Sequence, residues 1–391
     1  MRPTHITITL QSRKTYSMKD KDNNIKDITN KVRVSFVALD PYDDDQAVRP
    51  IEVTQRGRGW VDYGERNAYA NYVYSLSQNS ATLSTIINGI SDYVIGNKVT
   101  SKSTLFTDDE LEDIVKEIAV SYATYGGFAI NVLRNRMGQI CKLIPLDIRC
   151  IRTDEDHTVY YYSKDFRDKT KRGHYSTLVY PKFDPQGDEA STVYYYRNDR
   201  QKTYPTPLFA PAIKSVETDI LINDFQCNLV RNGLASDYIV SFNNGIPTSE
   251  VQDEIEEMFN DKFSGNGNAG RPIISYSEDK DHAPEILAVP DNNFADKWQN
   301  VSKRSQQEIF KVYKAQPLLF GQNTDQNGSL SVEQFDMAFK LFNTSEIKPI
   351  QKLIKRSFKD ILGVDAIDIE PFSIDFEGEN DANTTNETEV E

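Results

Sequence analysis

Three stretches hold residues whose types and spacing could do chemistry. Gly265-x-Gly267-x-x-Gly270 matches the dinucleotide fingerprint letter for letter. That fingerprint works where a strand leads into the glycines and a helix N-terminus receives the pyrophosphate. Here the pattern predicts a helix over 249–263 before the glycines, and Arg271-Pro272 leads into a strand. The order is reversed, so the glycines read as a turn. Residues 323–334 carry Asn323, Asp325, Asn327, Gly328 and Leu330 at the spacing of a calcium loop. The first ligand position holds Asn, and Gln334 stands where a bidentate Glu is needed. Ser331-x-x-Gln334 reads better as a capping box that opens a helix, and Asn327-Gly328 as a turn. Asp154-Glu155-Asp156-His157 sets one histidine among acids, which reads as a solvated charged turn rather than a metal site. The sequence has no Gly-x-Ser-x-Gly, no His-Glu-x-x-His and no Walker loop. No catalytic residue, metal ligand or cofactor is assigned, and the chain reads as a non-enzyme.

Composition narrows the classes further. The chain has 391 residues, too many for one ordinary core, with 38% hydrophobic and 27% charged residues. No run approaches the ~20 apolar residues of a membrane helix. Residues 1–10 alternate polar and apolar, which argues against a signal peptide. Cys141, Cys150 and Cys227 are widely spaced, form no zinc pattern and suit a reducing compartment. The net charge of −14 lacks the basic footprint of a protein that grips DNA. It leaves open a surface along which DNA must slide.

The elements that must position these stretches give an α+β reading. Strands are expected at 6–10 and 32–39, and a helix over 66–95 with Gly96 as its cap. Thr107-Asp108-Asp109-Glu110 predicts a capping box, a helix to Gly126-Gly127, and then a hairpin of strands 128–133 and 140–144. The runs Tyr160–Tyr162 and Tyr194–Tyr196 predict strands with tyrosine on both faces. Pro211 opens a long helix to about 232. Residues 236–293 form a small α/β insertion, with strands at 238–242, 273–276 and 285–289. A second long helix covers 294–314, and Pro317 breaks it. A polar loop then leads to a third long helix over 332–362, which Pro349 kinks. The tail carries Asp375, Glu377, Glu379, Asp381, Glu387, Glu389 and Glu391 with no base, and is expected to be disordered.

Two long helices flanking an α/β insertion, then a Pro-containing break and a kinked helix, resemble the portal proteins of tailed bacteriophages with long non-contractile tails. Several stretches are similar in wording: Tyr125-Gly126-Gly127-Phe128-Ala129-Ile130 with Leu143-Ile144-Pro145-Leu146; Phe242-Asn243-Asn244-Gly245-Ile246-Pro247; Gly267-Asn268-Ala269-Gly270-Arg271; and Phe310 followed by Pro317-Leu318-Leu319-Phe320-Gly321. Gln316-Pro317 stands where the family has Val-Pro. The resemblance spans about 65–362.

The resemblance implies a portal-like subunit. Residues 1–210 and 331–362 would be the wing, and 211–235 and 294–315 the stem helices. Residues 236–293 would be the clip, with Asn243, Asn244, Gly245, Gly267, Asn268, Gly270 and Arg271 in its turns. Residues 316–330 would be the tunnel loop and 363–391 a crown segment or disordered tail. It implies a dodecameric ring at a capsid vertex, made in the host cytoplasm and built into the virion. The ring would be a conduit for packaging and ejection of double-stranded DNA, which it touches transiently and without sequence preference. Major capsid protein, terminase and a head–tail adaptor would be its partners, with no membrane.

The tunnel loop holds Gln322, Asn323, Thr324, Asp325, Gln326 and Asn327, and no cation. Such groups meet phosphates through water without releasing counterions, so each contact stays weak. The second stem helix carries Lys297, Lys303, Arg304, Lys311 and Lys314 against Asp296 and Glu308. Two arrangements are open to these cations, facing the lumen or pairing with Glu217, Asp219 and Asp224 of a neighbouring subunit, and pairing is the one expected. The rival reading is a carbohydrate-binding or carbohydrate-active protein, which richness in tyrosine and acid would suit.

Overall fold

The computed structural model describes residues 48–54, 59–164, 166, 177–231, 239–242, 248, 273–276, 294–322 and 332–372. The chain divides after Arg49 into two units, and every element below lies in the second. The expected strands at 6–10 and 32–39 and the acidic tail lie outside the described residues.

A short antiparallel pair, β1 (Val53–Thr54) and β2 (Val61–Asp62), precedes the first helices. The periodic stretch 66–95 forms two helices, α1 (Tyr69–Asn79) and α2 (Ala81–Ile95). Ser80 breaks it. Its backbone is extended, and its hydroxyl accepts from the Leu83 amide at 3.2 Å, which caps α2. The same hydroxyl donates to the Asp219 carboxylate at 2.7 Å. A serine can do both at once. Gly96 ends α2 at φ 71° and ψ −147°, a region essentially reserved for glycine. Strand β3 (Lys98–Ser101) then pairs antiparallel with β12 (Ile367–Glu370) near the end of the described chain.

Helix α3 (Asp108–Tyr125) begins at the expected capping box. Thr107 Oγ1 accepts from the Glu110 amide at 3.3 Å, and Glu110 accepts from the Thr107 amide at 3.2 Å. Three acids in the first turn favour the positive end of the helix dipole. Left-handed Gly126 stops the helix and turns it into β4 (Gly127–Arg134). Asn135 accepts from the Met137 and Gln139 amides at 2.9 and 3.0 Å, which closes the hairpin to β5 (Ile140–Leu146). Strand β9 (Ser191–Arg197) takes the other edge of β4, giving the antiparallel order β5-β4-β9. Leu83, Ile86 and Ile90 of α2, Leu111, Val115 and Ile118 of α3, and Phe128, Ile130 and Val132 of β4 form the buried core. Burying each such side chain contributes about 1.5–3 kcal/mol.

A second sheet, in the order β6-β7-β8, is built from β6 (Ile151–Thr153), β7 (Val159–Tyr162) and β8 (Leu178–Pro181). The tyrosine runs alternate as a strand requires. Tyr194 and Tyr196 lie over Phe128, with ring centroids 6.5 and 5.2 Å away. Tyr195, between them, meets Tyr160 on the opposite face at 5.3 Å. These rings are packed between elements and make no exposed aromatic platform, so the carbohydrate reading loses its main feature.

The acidic turn with His157 holds itself together. Asp154 accepts from the Thr158 and Val159 amides at 2.8 and 3.0 Å and from the Thr158 hydroxyl. His157 sits at φ 53° and stacks on Tyr195 at 5.9 Å. No group of three metal-ligating side chains occurs among the described residues. Burial, with the Arg197 cation second, pushes the His157 imidazole down from 6.5 to about 4. The fold therefore favours neutral imidazole. Its contribution is complete above pH 6.5 and is lost as pH falls toward 4. A wild-type denaturation midpoint should fall across that window. His157→Asn, which tolerates the left-handed backbone, should flatten that fall.

Helix α4 (Ile213–Arg231) starts two residues after Pro211, because Ala210–Ala212 form a 3-10 turn. It packs against α5 (Phe294–Val312), with Phe225 stacked on Trp298 at 4.9 Å. Between them, β10 (Ile239–Phe242) pairs with β11 (Ile273–Tyr276). The pair is parallel, so a crossover must join its ends. The helix expected at 249–263 and the strand at 285–289 lie outside the described residues.

The third long helix is interrupted, as Pro349 predicts, but the interruption precedes the proline. Helix α6 (Val332–Phe342) passes through a π-turn at Asn343–Ile347 into α7 (Lys348–Leu362). Pro349 has no amide to give and its ring crowds the carbonyl of Ser345 four residues back. The wider π-turn takes up that defect.

Candidate functional site

The stem pair and the loop after it are the region the sequence singles out. Helix α4 is tied to α1 and α2 through its acids. Glu217 and Asp219 are both buried. Tyr72 donates its hydroxyl to Glu217, and Lys214 pairs with Glu217 at 3.1 Å. Ser80 donates to Asp219. Both carboxylates thus have partners inside their own subunit, where the sequence suggested cations of a neighbour. A buried carboxylate needs such donors, since an unpaired one costs far more than a hydrogen bond returns. Asp224 is exposed.

On α5, Ile309, Phe310 and Tyr313 just beyond it are buried, while Lys303, Arg304 and Lys311 are exposed. Lys311 lies 3.6 Å from Glu308 of its own helix. Lys314 leaves the stem and pairs with Glu346 of the π-turn at 2.8 Å. The Lys297 side chain lies outside the described set. Tyr313 donates to the Ala123 carbonyl at 2.9 Å, which fixes the end of α5 on α3. Burial raises its hydroxyl well above the usual tyrosine range.

The loop after α5 leaves from a fixed point. Pro317–Phe320 form a 3-10 turn, Gly321 is left-handed, and the Gln322 amide donates to the Pro317 carbonyl at 3.0 Å. Phe320 lies edge-on to Phe310 and to Phe342, both at 5.8 Å, and Tyr93 lies 5.8 Å from Phe342. Gly89 makes room for the Phe320 ring, which a Cβ there would meet at 2.5 Å. Phe339 and Phe342, on the helix that follows the loop, join the same cluster. One aromatic cluster thus anchors both ends of 323–331. Asn323, Thr324, Asp325, Gln326 and Asn327 lie outside the described residues. So do the clip residues Asn243, Asn244, Gly245, Gly267, Asn268, Gly270 and Arg271.

Sequence reasoning missed this cluster, although Phe310, Phe320, Phe339 and Phe342 bracket the polar loop symmetrically. That bracketing is a readable signal. It also missed the serine–aspartate contact of Ser80 and Asp219, which joins residues 139 apart in the chain.

No described helix is long and apolar enough to cross a membrane. The family model described as "Phage portal protein" matches residues 109–388. The probable portal protein of Haemophilus phage HP1 (strain HP1c1) is 19% identical over 295 residues, covering 74% of this chain and 77% of that protein. Two solved structures are also similar. One is a chain from the neck of a native GTA particle computed with C12 symmetry, at 12% identity and TM-score 0.48, covering 82% of this chain and 86% of that one. The other is an HK97 family phage portal protein from Corynebacterium diphtheriae, at 8% identity and TM-score 0.45, covering 77% and 94%. The family match takes in α3, the β5-β4-β9 sheet, α4, α5, the loop and the π-interrupted helix, well over half of the 391 residues. The chain belongs to the phage portal protein family.

Proposed function

We propose that the chain is the repeating subunit of a twelvefold ring at one capsid vertex, through which DNA is packaged and ejected. Membership of the portal family, whose role is structural, carries this reading. In it α4 and α5 are the stem, 316–330 the tunnel loop, 236–293 the clip, and 1–210 with 331–362 the wing. The clip would dock the packaging terminase and the head–tail adaptor, and the wing would meet the major capsid protein. ATP hydrolysis would belong to the separate motor.

The surface of a lone subunit suits assembly. Met337 and Leu341 lie one turn apart on α6 and are 74% and 60% exposed. Apolar side chains placed together in water are the kind that a partner covers. Lys303 and Arg304 are exposed, and Asp224 is the exposed stem acid that a neighbour would bring to them, while Glu217 and Asp219 are buried. The loop residues 322–327 offer neutral hydrogen-bonding groups and one acid to passing DNA, which keeps contacts weak.

Deleting 323–327 tests the loop assignment. Rings should still form, because the aromatic anchor of both loop ends is untouched, while DNA packaged per procapsid should drop. Normal packaging by rings of this variant would overturn the assignment.

A further inference from the structure

Helices α3 and α7 each carry one line of like charge on the solvent side. On α3, Asp109, Asp113 and Glu117 recur every four residues and all are exposed. On α7, Lys348, Lys352 and Arg356 do the same. Four-residue spacing stacks side chains one turn apart, where like charges repel. Each line spans about 12 Å at 1.5 Å per residue.

Most other charges of these surfaces are already engaged. Asp108 pairs with Lys98 at 3.3 Å, and Lys116 with Asp92 at 3.2 Å. Lys355 pairs with Asp368 at 3.1 Å, and Lys359 with Asp365 at 3.2 Å. By contrast, no described cation pairs with Asp109, Asp113 or Glu117, and no described acid pairs with Lys348 or Lys352. Arg356 reaches Asp360 only at 3.9 Å, with both side chains largely exposed. Glu112 adds one more exposed acid beside the α3 line. Partial burial, and then Asp113, hold the Glu117 carboxyl above its ordinary value. Like charges one turn apart repel along each line, and each line has the length and sign to relieve the other.

We propose that the acidic line of α3 in one subunit docks on the basic line of α7 in the next copy around the ring. The inference rests on the ring reading above. A closed ring repeats one heterologous contact, so each subunit must carry two different, complementary patches. A pair of oppositely charged lines of equal length on one chain meets that requirement. Exposed pairs of this kind set register and partner choice more than affinity, and salt weakens them.

The test uses the full chain. The acid-side variant is D109K/D113K/E117K and the base-side variant is K348E/K352E/R356E. Native mass spectrometry reads ring fraction at low ionic strength, and circular dichroism reads folding. Wild type should form rings, and each variant alone should lose at least about tenfold in ring fraction. Mixed in equal amounts, the two should assemble again, since each supplies the charge the other now needs. The single reversals D113K and K352E give the same comparison if a triple variant fails to fold. Normal assembly of either variant alone would overturn the proposal, and so would folded variants that stay apart when mixed. Recovery of pairs rather than rings would overturn the ring placement of the contact. Assembly left intact while K348E/K352E/R356E loses retention on a short DNA duplex would assign the basic line to phosphate instead. A wild-type chain that forms no ring would defeat the ring reading itself.

Discussion

Replacing Arg152 by alanine should lower the stability of the folded subunit by about 3–5 kcal/mol, the range for stripping a buried charged group from its partners. Arg152 is 1% exposed. Its Nε donates to Asn67 Oδ1, its Nη1 to the carbonyls of Arg149 and Ile151 at 3.1 and 2.6 Å, and its Nη2 to the Asn67 carbonyl at 3.2 Å. The guanidinium lies 4.8 Å from the Phe166 ring centroid and 5.7 Å from that of Tyr63. Burial pulls its pKa below the usual arginine value, which records the cost of keeping it there. Alanine would take every guanidinium donor from those acceptors, leaving Asn67 Oδ1 only the Tyr63 amide at 2.9 Å, and open a cavity beside Tyr63 and Tyr204, which stack at 4.3 Å. Arg152→Met separates the two effects. It fills most of the volume and removes the buried charge, so it should lose less than alanine in a denaturation series. Equal losses for the two would show that the hydrogen bonds dominate.

The second large effect is at Ser80. Ser80→Ala removes the cap of α2 and the donor to buried Asp219 in one step. A lost cap costs about 1 kcal/mol. A buried acceptor left alone costs about 1–3 kcal/mol more. The sum, ~2–4 kcal/mol, should appear in chemical denaturation of the subunit. Adding Asp219→Asn should recover part of it, because the neutral amide is cheaper to leave buried. If the two substitutions add without coupling, the contact contributes nothing. Asp219 and Glu217 together hold α4 against α1 and α2.

Much of this architecture is written in local chemistry. Thr107 and Glu110 announce α3, Gly126 ends it, and Asn135 with Gly138 marks the hairpin. Each signal acts within a few residues, so sequence alone reveals it. Pro349 announces a defect in the last long helix but not that the strain is taken up just before it. Ser80 was hidden because apolar residues continue at helical period on both sides of it. Its role depends on Asp219, far along the chain. Arg152 was hidden for the same reason: nothing near it in sequence says that Asn67, Tyr63 and Tyr204 surround it. The stem acids show the reverse error. Glu217 and Asp219 look like surface charges beside a basic helix, yet the fold turns them inward to Tyr72 and Ser80.

In the proposed function, copies of this chain close into a ring around a DNA-sized hole. Native mass of the purified full chain, with negative-stain images of the same sample, tests it most directly. The expected result is a closed ring near twelve subunits with a central opening. A compact dimer with no opening would contradict it.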